Sequence, residues 1–395
     1  MRILILGFSK TGQSVYKFLK NKGHEIYVYD QNEISDSTIN HVSYEFLVSN
    51  KLLFDLCIRS PGIKKTSKIY LLSQILSKEI VSEIEFASRF LKTKHIIGVT
   101  GSNGKTTTCQ MIDSILKQKF HTYLLGNIGD PLINYVNQIQ EDDYLILELS
   151  SFILENTSSL SFEVVVFTSL SENHLDGVEN LDIYYSSKKR ILFHQPKLLI
   201  ANSKIEEILN IKSDQVDLDL NDYSFSFNQI NTLNLINAIR VAKYFNLNNY
   251  QIQKGINQIK IDHYRQEIIY QNQDLVFVND SKSTSIEATN VAISSFKDKK
   301  IILILSGIFK GENIDNLDLK KCFKVYSYGK INDLLENNVL KKKSLREVLS
   351  DIKDNNYQNC YVLFSPSGSS FDLYHSYQER GNEFNCLVKE IWKSI

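Results

Sequence analysis

The segment His95-Ile96-Ile97-Gly98-Val99-Thr100-Gly101-Ser102-Asn103-Gly104-Lys105-Thr106-Thr107 has three parts. A short apolar run reads as a strand, TGSNG as a polar glycine loop, and Lys105-Thr106-Thr107 as the first turn of a helix. Met111, Ile112, Ile115 and Leu116 then mark one face of that helix. Such a loop aims backbone N–H groups and a helix N-terminus at phosphate oxygens. Lys105 adds a point charge, and the Thr106 hydroxyl suits Mg²⁺. The strict G-x-x-x-x-G-K-[ST] spacing is not met, because Val99 stands five residues before Gly104. The loop is therefore a variant, and its plain alternative is an ordinary strand-to-helix turn. The lysine and two threonines, in this order and at this place, favour phosphate.

Towards the N-terminus, Arg2 to Leu6 is a strand running into Gly7, Gln13 to Leu19 has helical spacing, and Glu25 to Tyr29 is a strand ending on Asp30. This is a β-α-β opening. Gly7-x-Ser9-x-x-Gly12 is a dinucleotide fingerprint with its middle glycine replaced, which weakens the case for NAD or FAD because that glycine admits a pyrophosphate. Ser60-Pro61-Gly62, after the strand-like Phe54 to Ile58, joins the same edge. A nucleotide diphosphate or a tight structural turn both remain open here.

Towards the C-terminus, the strand Tyr144 to Leu147 ends on Glu148, placed to hold Mg²⁺ or, more plainly, to cap a helix. Val164 to Phe167 precedes Ser171-Glu172-Asn173-His174-Leu175-Asp176, and Lys188-Lys189-Arg190 follows. Residues 203–230 are polar and weakly periodic, and are expected to form connecting loops and short strands. From His263 a further unit begins. Its strands Leu275 to Val278, Ile301 to Leu305, Val325 to Tyr328 and Tyr361 to Phe364 are short apolar runs of the kind buried on both faces of a parallel sheet. Each runs into small or polar residues, so the unit presents a ligand edge beyond its strand ends. Asp280-Ser281-Lys282-Ser283-Thr284, Lys310-Gly311 and Ser365 to Asp372 make a basic, hydroxyl-rich rim for an anionic small molecule. Phe384, Leu387, Val388, Ile391, Trp392 and Ile395 form the core stripe of a last helix.

Composition sets the outer limits. At 395 residues the chain exceeds the usual reach of one core. Lys plus Arg and Asp plus Glu each total 45, so there is no chain-wide basic field for nucleic acid or acidic membrane. Five scattered cysteines without a CxxC pair argue against a disulfide framework or a zinc site. No run reaches the roughly 18 apolar residues of a membrane span. A soluble, cytoplasmic protein with small-molecule partners is expected.

TGSNGKTT, ELSSF, SENHLD, NDSKST and SPSGSSFD with the later ERGNEF, in this order over essentially the whole chain, resemble the Mur ligases. The resemblance is strongest to members that add D-glutamate to UDP-N-acetylmuramoyl-L-alanine. It implies an α/β protein of three domains: a Rossmann-like N-terminal domain for the UDP substrate (1–91), a central P-loop-type ATPase domain (92–262) and a Rossmann-like C-terminal domain for the amino acid (263–395). It also implies ATP, two Mg²⁺ ions, a CO₂-derived carbamate on Lys188, no membrane insertion and a monomer. By resemblance, Gly101 to Thr107 hold the ATP phosphates, with Asn231 and Asn234 beside the adenine and Arg265 and Asp280 on phosphates and ribose. Thr106, Glu148, His174 and carbamylated Lys188 are the metal ligands, and Lys105 joins the last three as catalytic. Ser9, Lys10, Thr11, Asp30, Ser60, Pro61, Gly62, Asn127 and Ser150 match the UDP-substrate positions. Lys282, Thr284, Lys310, Ser370, Phe371 and Tyr377 match those for D-glutamate. The sequence departs from the family pattern at Ile230 and Tyr264, where histidines are usual, and at Ser306 in the place of a glycine. Two other classes fit less well: an NAD-dependent oxidoreductase leaves Lys105 and Glu148 without a role, and a nucleotide-binding regulator without catalysis leaves the lysine, histidine and carboxylate set without one.

Overall fold

In the computed structural model the described residues are 1–170, 181–225, 229–259, 264–296, 299–309, 314–335 and 339–392, with backbone alone at 229–231. The chain builds three sheets. The first, in spatial order β2-β1-β3-β4, comprises β1 (Arg2–Leu6), β2 (Glu25–Tyr29), β3 (Leu56–Arg59) and β4 (Ile80–Ser82), all parallel. The second, β6-β7-β5-β8-β9, comprises β5 (Ile96–Thr100), β6 (Thr122–Gly126), β7 (Tyr144–Glu148), β8 (Val164–Phe167) and β9 (Leu198–Ile200), also parallel. The third is β10-β11-β15-β12-β13-β14, from β10 (Glu267–Gln271), β11 (Leu275–Asn279), β12 (Lys300–Ser306), β13 (Lys324–Tyr328), β14 (Leu340–Lys341) and β15 (Cys360–Ser367). It is parallel except for β10, which pairs antiparallel with β11.

The chain divides into two compact units. Met1–Ser226 with Leu233–Ile259 carries the first two sheets, and Phe227–Thr232 with Lys260–Ile395 carries the third. Within the first unit one apolar core runs under both sheets. Ile84, Phe86 and Ala87 of the helix Glu83–Ser88 belong to the same cluster as Leu132, Ile133 and Val136. Central strands such as β5, β7 and β8 are buried along their whole length. That is the reason their sequences are continuous apolar runs rather than alternating ones.

Residues 203–230 correct the expectation of loops and short strands. Ser203–Leu209 is a helix, capped by Asn202, whose side chain accepts from the Ile205 N–H, and it buries Ile205 and Leu209. The cap and two apolar contacts one turn apart outweigh the polar composition. The terminal helix is Tyr377–Trp392, with Phe384, Leu387, Val388 and Trp392 buried; Ile395 lies outside the described residues.

Candidate active site

The phosphate loop is shaped by its glycines and clamped by the residues after β8. Gly101 has φ +147° and Gly104, which precedes the helix Lys105–Leu116, has φ +82°. A Cβ at Gly101 would stand 2.1 Å from Thr168 Oγ1, and one at Gly104 2.7 Å from Asn234 Oδ1. The Thr168 hydroxyl donates to the Asn103 carbonyl, and the Ser102 N–H donates to the Ser169 carbonyl at 2.7 Å. Ser169 Oγ accepts from the Asn103 N–H at 2.9 Å. The loop is thus fixed before any ligand arrives.

Two lysines meet on one carbonyl. Lys105 Nζ donates to Gly101 O and Ser102 O, both at 2.8 Å, and Lys188 Nζ donates to Gly101 O at 2.9 Å. Lys188 is 2% exposed, with its amine 4.6 Å from the centre of the Tyr184 ring. Burial, and then the Lys105 charge, hold that amine well below the ordinary lysine range. Lowering an amine's pKa raises the share of its neutral, nucleophilic form.

Glu148, at the end of β7, pairs in register with Val99 of β5 and is 2% exposed. Its Oε1 accepts from Asn127 Nδ2 at 3.2 Å, whereas Oε2 is sealed from solvent with no hydrogen-bond partner. The turn that carries Asn127 is locked to this strand end, since the Asn127 N–H donates to the Glu148 carbonyl at 2.8 Å. A buried carboxylate oxygen without a donor is the arrangement a cation satisfies. Thr106, in the first turn of the helix after the loop, is buried as well, and both side chains offer oxygens, which suit a hard divalent ion. Among the described residues no three His, Cys, Asp or Glu side chains gather as a metal cluster. His174 lies outside the described residues.

At the first sheet, Gly7 has φ +88°, and the Asp30 carboxylate accepts from the Phe8 N–H at 2.6 Å and the Asn32 N–H at 2.9 Å. A cavity of about 460 Å³ gathers Ser9, Asp30, Ser60, Pro61 and Gly62. A second, of about 190 Å³, gathers Lys10, Thr11, Pro61, Glu83 and Asn127. Pro61 lines both, so eight of the nine residues matched to the UDP substrate share one run of pockets. Ser150 instead caps the helix Ser151–Leu154, accepting from the Ile153 N–H.

In the second unit Asp280 is a buried hub. It accepts from Ser283 Oγ at 2.6 Å, Ser365 Oγ at 2.7 Å and the Gln266 N–H at 3.2 Å. Burial pushes its carboxyl up to about 6, against the donors and the Arg265 charge. Lys282 Nζ lies 5.5 Å from the centre of the Tyr377 ring. Ser370 is buried, Thr284 half-buried, and Phe371 stands 72% exposed at the rim. Asn234 Oδ1 accepts from Thr108 Oγ1 at 3.2 Å, behind the phosphate loop of the first unit. The Asn231 side chain and Lys310 lie outside the described residues.

Sequence reasoning missed four contributors. Thr168 and Ser169 follow a buried strand, and the strand-end rule applied to Glu148 points equally to them. Tyr184 packs its ring on Lys188. Arg380, fully buried, donates to Ser281 O at 2.8 Å, Gly368 O at 2.9 Å and Ser281 Oγ at 3.1 Å, tying the Asp280 and Ser365 loops together.

A parallel α/β chain with a rigid phosphate loop and an unpartnered buried carboxylate next to it is an enzyme that handles nucleoside triphosphate. Comparison with known proteins narrows this. Residues 99–263 match the Mur ligase middle domain. The UDP-N-acetylmuramoylalanine–D-glutamate ligase of Buchnera aphidicola subsp. Acyrthosiphon pisum (strain Tuc7) is 30% identical over 99% of this chain and 98% of its own. That of Oenococcus oeni is 28% identical over 98% and 97%. The chain belongs to the Mur ligase family. Among solved structures, the MurF ligase of Thermotoga maritima in complex with ADP has a TM-score of 0.61 at 15% identity over 98% of this chain and 95% of that one. UDP-N-acetylmuramate-alanine ligase MurC of the same organism has 0.57 at 17% over the full length of both. These likenesses establish the fold. Among the described residues no helix is long and apolar enough to cross a membrane.

Proposed function

We propose that this chain joins D-glutamate to UDP-N-acetylmuramoyl-L-alanine at the expense of ATP, in the synthesis of peptidoglycan precursors. The observation that carries the chemistry is the preformed phosphate loop beside Glu148, whose Oε2 is buried and unpartnered. The full-length relatives support the choice of substrates. A carboxylate is a poor electrophile because its leaving group is oxide. Its oxygen attacks the γ-phosphorus of ATP, ADP departs, and the resulting acyl phosphate has phosphate as its leaving group. The D-glutamate nitrogen, having lost a proton from its ammonium, attacks the carbonyl carbon; the C–O bond breaks and an amide and phosphate result. Both reactants are anions, so positioning and electrostatic stabilisation dominate.

In this reading Gly101 to Thr107 hold the ATP phosphates and Lys105 neutralises charge on them. Thr106, Glu148, His174 and Lys188 as its carbamate would hold Mg²⁺, which when bound offsets the negative charge of the phosphates. Burial shifts the Lys188 amine towards its neutral form, the form that adds CO₂ and releases a proton. The first sheet and the Asn127 turn hold the UDP-linked substrate, and Lys282, Thr284, Lys310, Ser370, Phe371 and Tyr377 hold D-glutamate. The working division is 1–91, 92–262 and 263–395. ATP and a UDP-linked sugar are cytoplasmic metabolites, which places the reaction in the cytoplasm.

The test is phosphate release with ATP, Mg²⁺ and UDP-N-acetylmuramoyl-L-alanine, comparing D-glutamate with L-glutamate, L-alanine and meso-diaminopimelate. D-Glutamate is expected to support turnover alone or far ahead of the others. Preference for another amino acid would overturn the assignment.

A further inference from the structure

The smaller cavity at the first sheet contains an acid that neither the motif reading nor the comparisons assign. Glu83 opens the helix Glu83–Ser88, is 6% exposed, and lines the 190 Å³ cavity with Lys10, Thr11, Pro61 and Asn127. Its Oε1 accepts from the Ile133 N–H at 2.7 Å, which fixes the carboxyl against the turn Leu132–Asn134.

The charges around it are few. From the helix Lys10–Leu19 comes Lys10, whose amine is already held by Asp130 at 2.6 Å and Gly129 O at 3.0 Å. On Glu83's own helix, Glu85 is turned to the Ser158 and Ser159 N–H groups. The turn Leu132–Asn134 offers a backbone donor only. Among the described residues, then, this cavity holds no cation without an acid partner. Burial, opposed only by the Ile133 N–H, pushes the Glu83 carboxyl from 4.5 up to about 7.

Lys10 and Thr11, in the first turn of their helix, and Asn127 are matched to the UDP substrate, whose diphosphate is a permanent dianion. An ionised Glu83 facing that group would repel it in a site of low dielectric, whereas a protonated one offers an O–H donor. We propose that Glu83 is a substrate-binding residue that takes up a proton when the UDP-linked substrate enters and donates a hydrogen bond to its diphosphate or sugar. This rests on the function proposed above. It makes substrate affinity fall as pH rises past neutrality, by up to about tenfold per pH unit, with no matching effect on ATP.

Calorimetric titration of the full chain with UDP-N-acetylmuramoyl-L-alanine, in buffers of different ionisation enthalpy, reads the proton directly. The substrate is a diphosphate diester with a carboxylate that titrates near 3.5, so it contributes no proton of its own at neutral pH. At pH 7.5 the wild type is expected to take up more than roughly half a proton per substrate bound. Glu83→Gln, which keeps the acceptor for Ile133 and carries a permanent donor, is expected to bind with no uptake and a flat pH profile. No uptake by the wild type, or equal uptake by both proteins, would overturn the inference. Absence of wild-type binding at any pH would instead overturn the substrate assignment, and the inference with it. The wild-type measurement stands whatever the variant does on folding.

Discussion

Gly101→Ala puts a number on how firmly the phosphate loop is built. At φ +147° a side chain is strained by about 1–3 kcal/mol. The new methyl would also stand 2.1 Å from Thr168 Oγ1, 2.8 Å from Ser169 O and 2.9 Å from Ser169 N. Thr168 has no free direction to yield, because its hydroxyl is committed to the Thr100 and Asn103 carbonyls. Displacing it loses about one hydrogen bond, roughly 0.5–1.5 kcal/mol. The sum is about 1.5–4.5 kcal/mol, and it has two places to appear. If the loop holds its shape, the first unit loses that stability and its melting point drops by roughly 3–18 °C. If the loop relaxes, the loss reappears when ATP must rebuild it, lowering kcat/KM for ATP by about 10- to 2000-fold. KM for the UDP-linked substrate should not move. Gly23→Ala is the control: φ is +71° but nothing lies within 4 Å of the new Cβ, so only the strain remains. Differential scanning fluorimetry with phosphate-release kinetics decides it. A Gly101→Ala protein with wild-type melting and wild-type kcat/KM for ATP would refute the reasoning.

Other outcomes follow from the same geometry. Lys188→Ala is expected to lose most phosphate release and to recover part of it in acetate, a small carboxylate that can stand where the carbamate would; full activity without acetate would remove Lys188 from the site. Glu148→Gln keeps an acceptor for Asn127 but places an amide where the unpartnered oxygen lies, so the Mg²⁺ concentration for half-maximal activity should rise at least tenfold to a hundredfold with melting little changed; an unchanged Mg²⁺ dependence contradicts the assignment. Glu83 holds a proton in the native state that the unfolded chain releases, since burial raises it from 4.5 to about 7. Its contribution is fully present below pH 4.5 and is lost as pH rises through about 7, a loss of about 3 kcal/mol. Urea unfolding should therefore show Glu83→Gln gaining about that much on wild type between pH 4.5 and pH 8; a constant offset at the two pH values rules it out.

The parts of this fold that were legible in the sequence are those where one local rule governs. Inner parallel strands must be apolar on both faces, so β1, β5, β7, β8, β11 and β12 stand out as runs, and each strand end points at a ligand edge. The phosphate loop carries its glycines in the sequence. What stayed hidden depends on partners distant in sequence. Thr168 matters because β8 lies beside β5 and brings it onto a loop sixty-odd residues earlier. Arg380 reads as a helix surface charge until the two loops that receive its guanidinium are in place. Glu83, one residue after the capping Ser82, reads as an ordinary first-turn acid, and the turn whose Ile133 N–H holds its carboxyl lies 50 residues away in sequence. Ser203–Leu209 was lost to polar composition because two buried side chains and a cap suffice once the helix Leu181–Lys189 is there to pack against.

A formal charge of zero conceals how the ionisable groups are sorted. Lys188, Glu148, Glu83, Asp280 and Arg380 are all nearly or fully buried, and burial of an isolated charge is costly. Among the described residues the hydrogen bonds to each come from neutral groups: to Lys188 a carbonyl, to Glu148 an amide side chain, to Glu83 an N–H, to Asp280 two hydroxyls and to Arg380 two carbonyls, with the Arg265 charge near Asp280 and that of Asp372 near Arg380 as additions. Neutral dipoles of that kind orient a charge without cancelling it, so the electrostatic capacity of the group stays available to a ligand. A tight salt bridge in the same place would be more stable in the empty protein and inert towards phosphate. The contrast is visible at the first sheet, where Lys10 is matched to the UDP substrate yet paired with Asp130. Substrate must separate that pair or leave it alone. Separation of an exposed pair costs little, about 0–1 kcal/mol, so Lys10 remains recruitable.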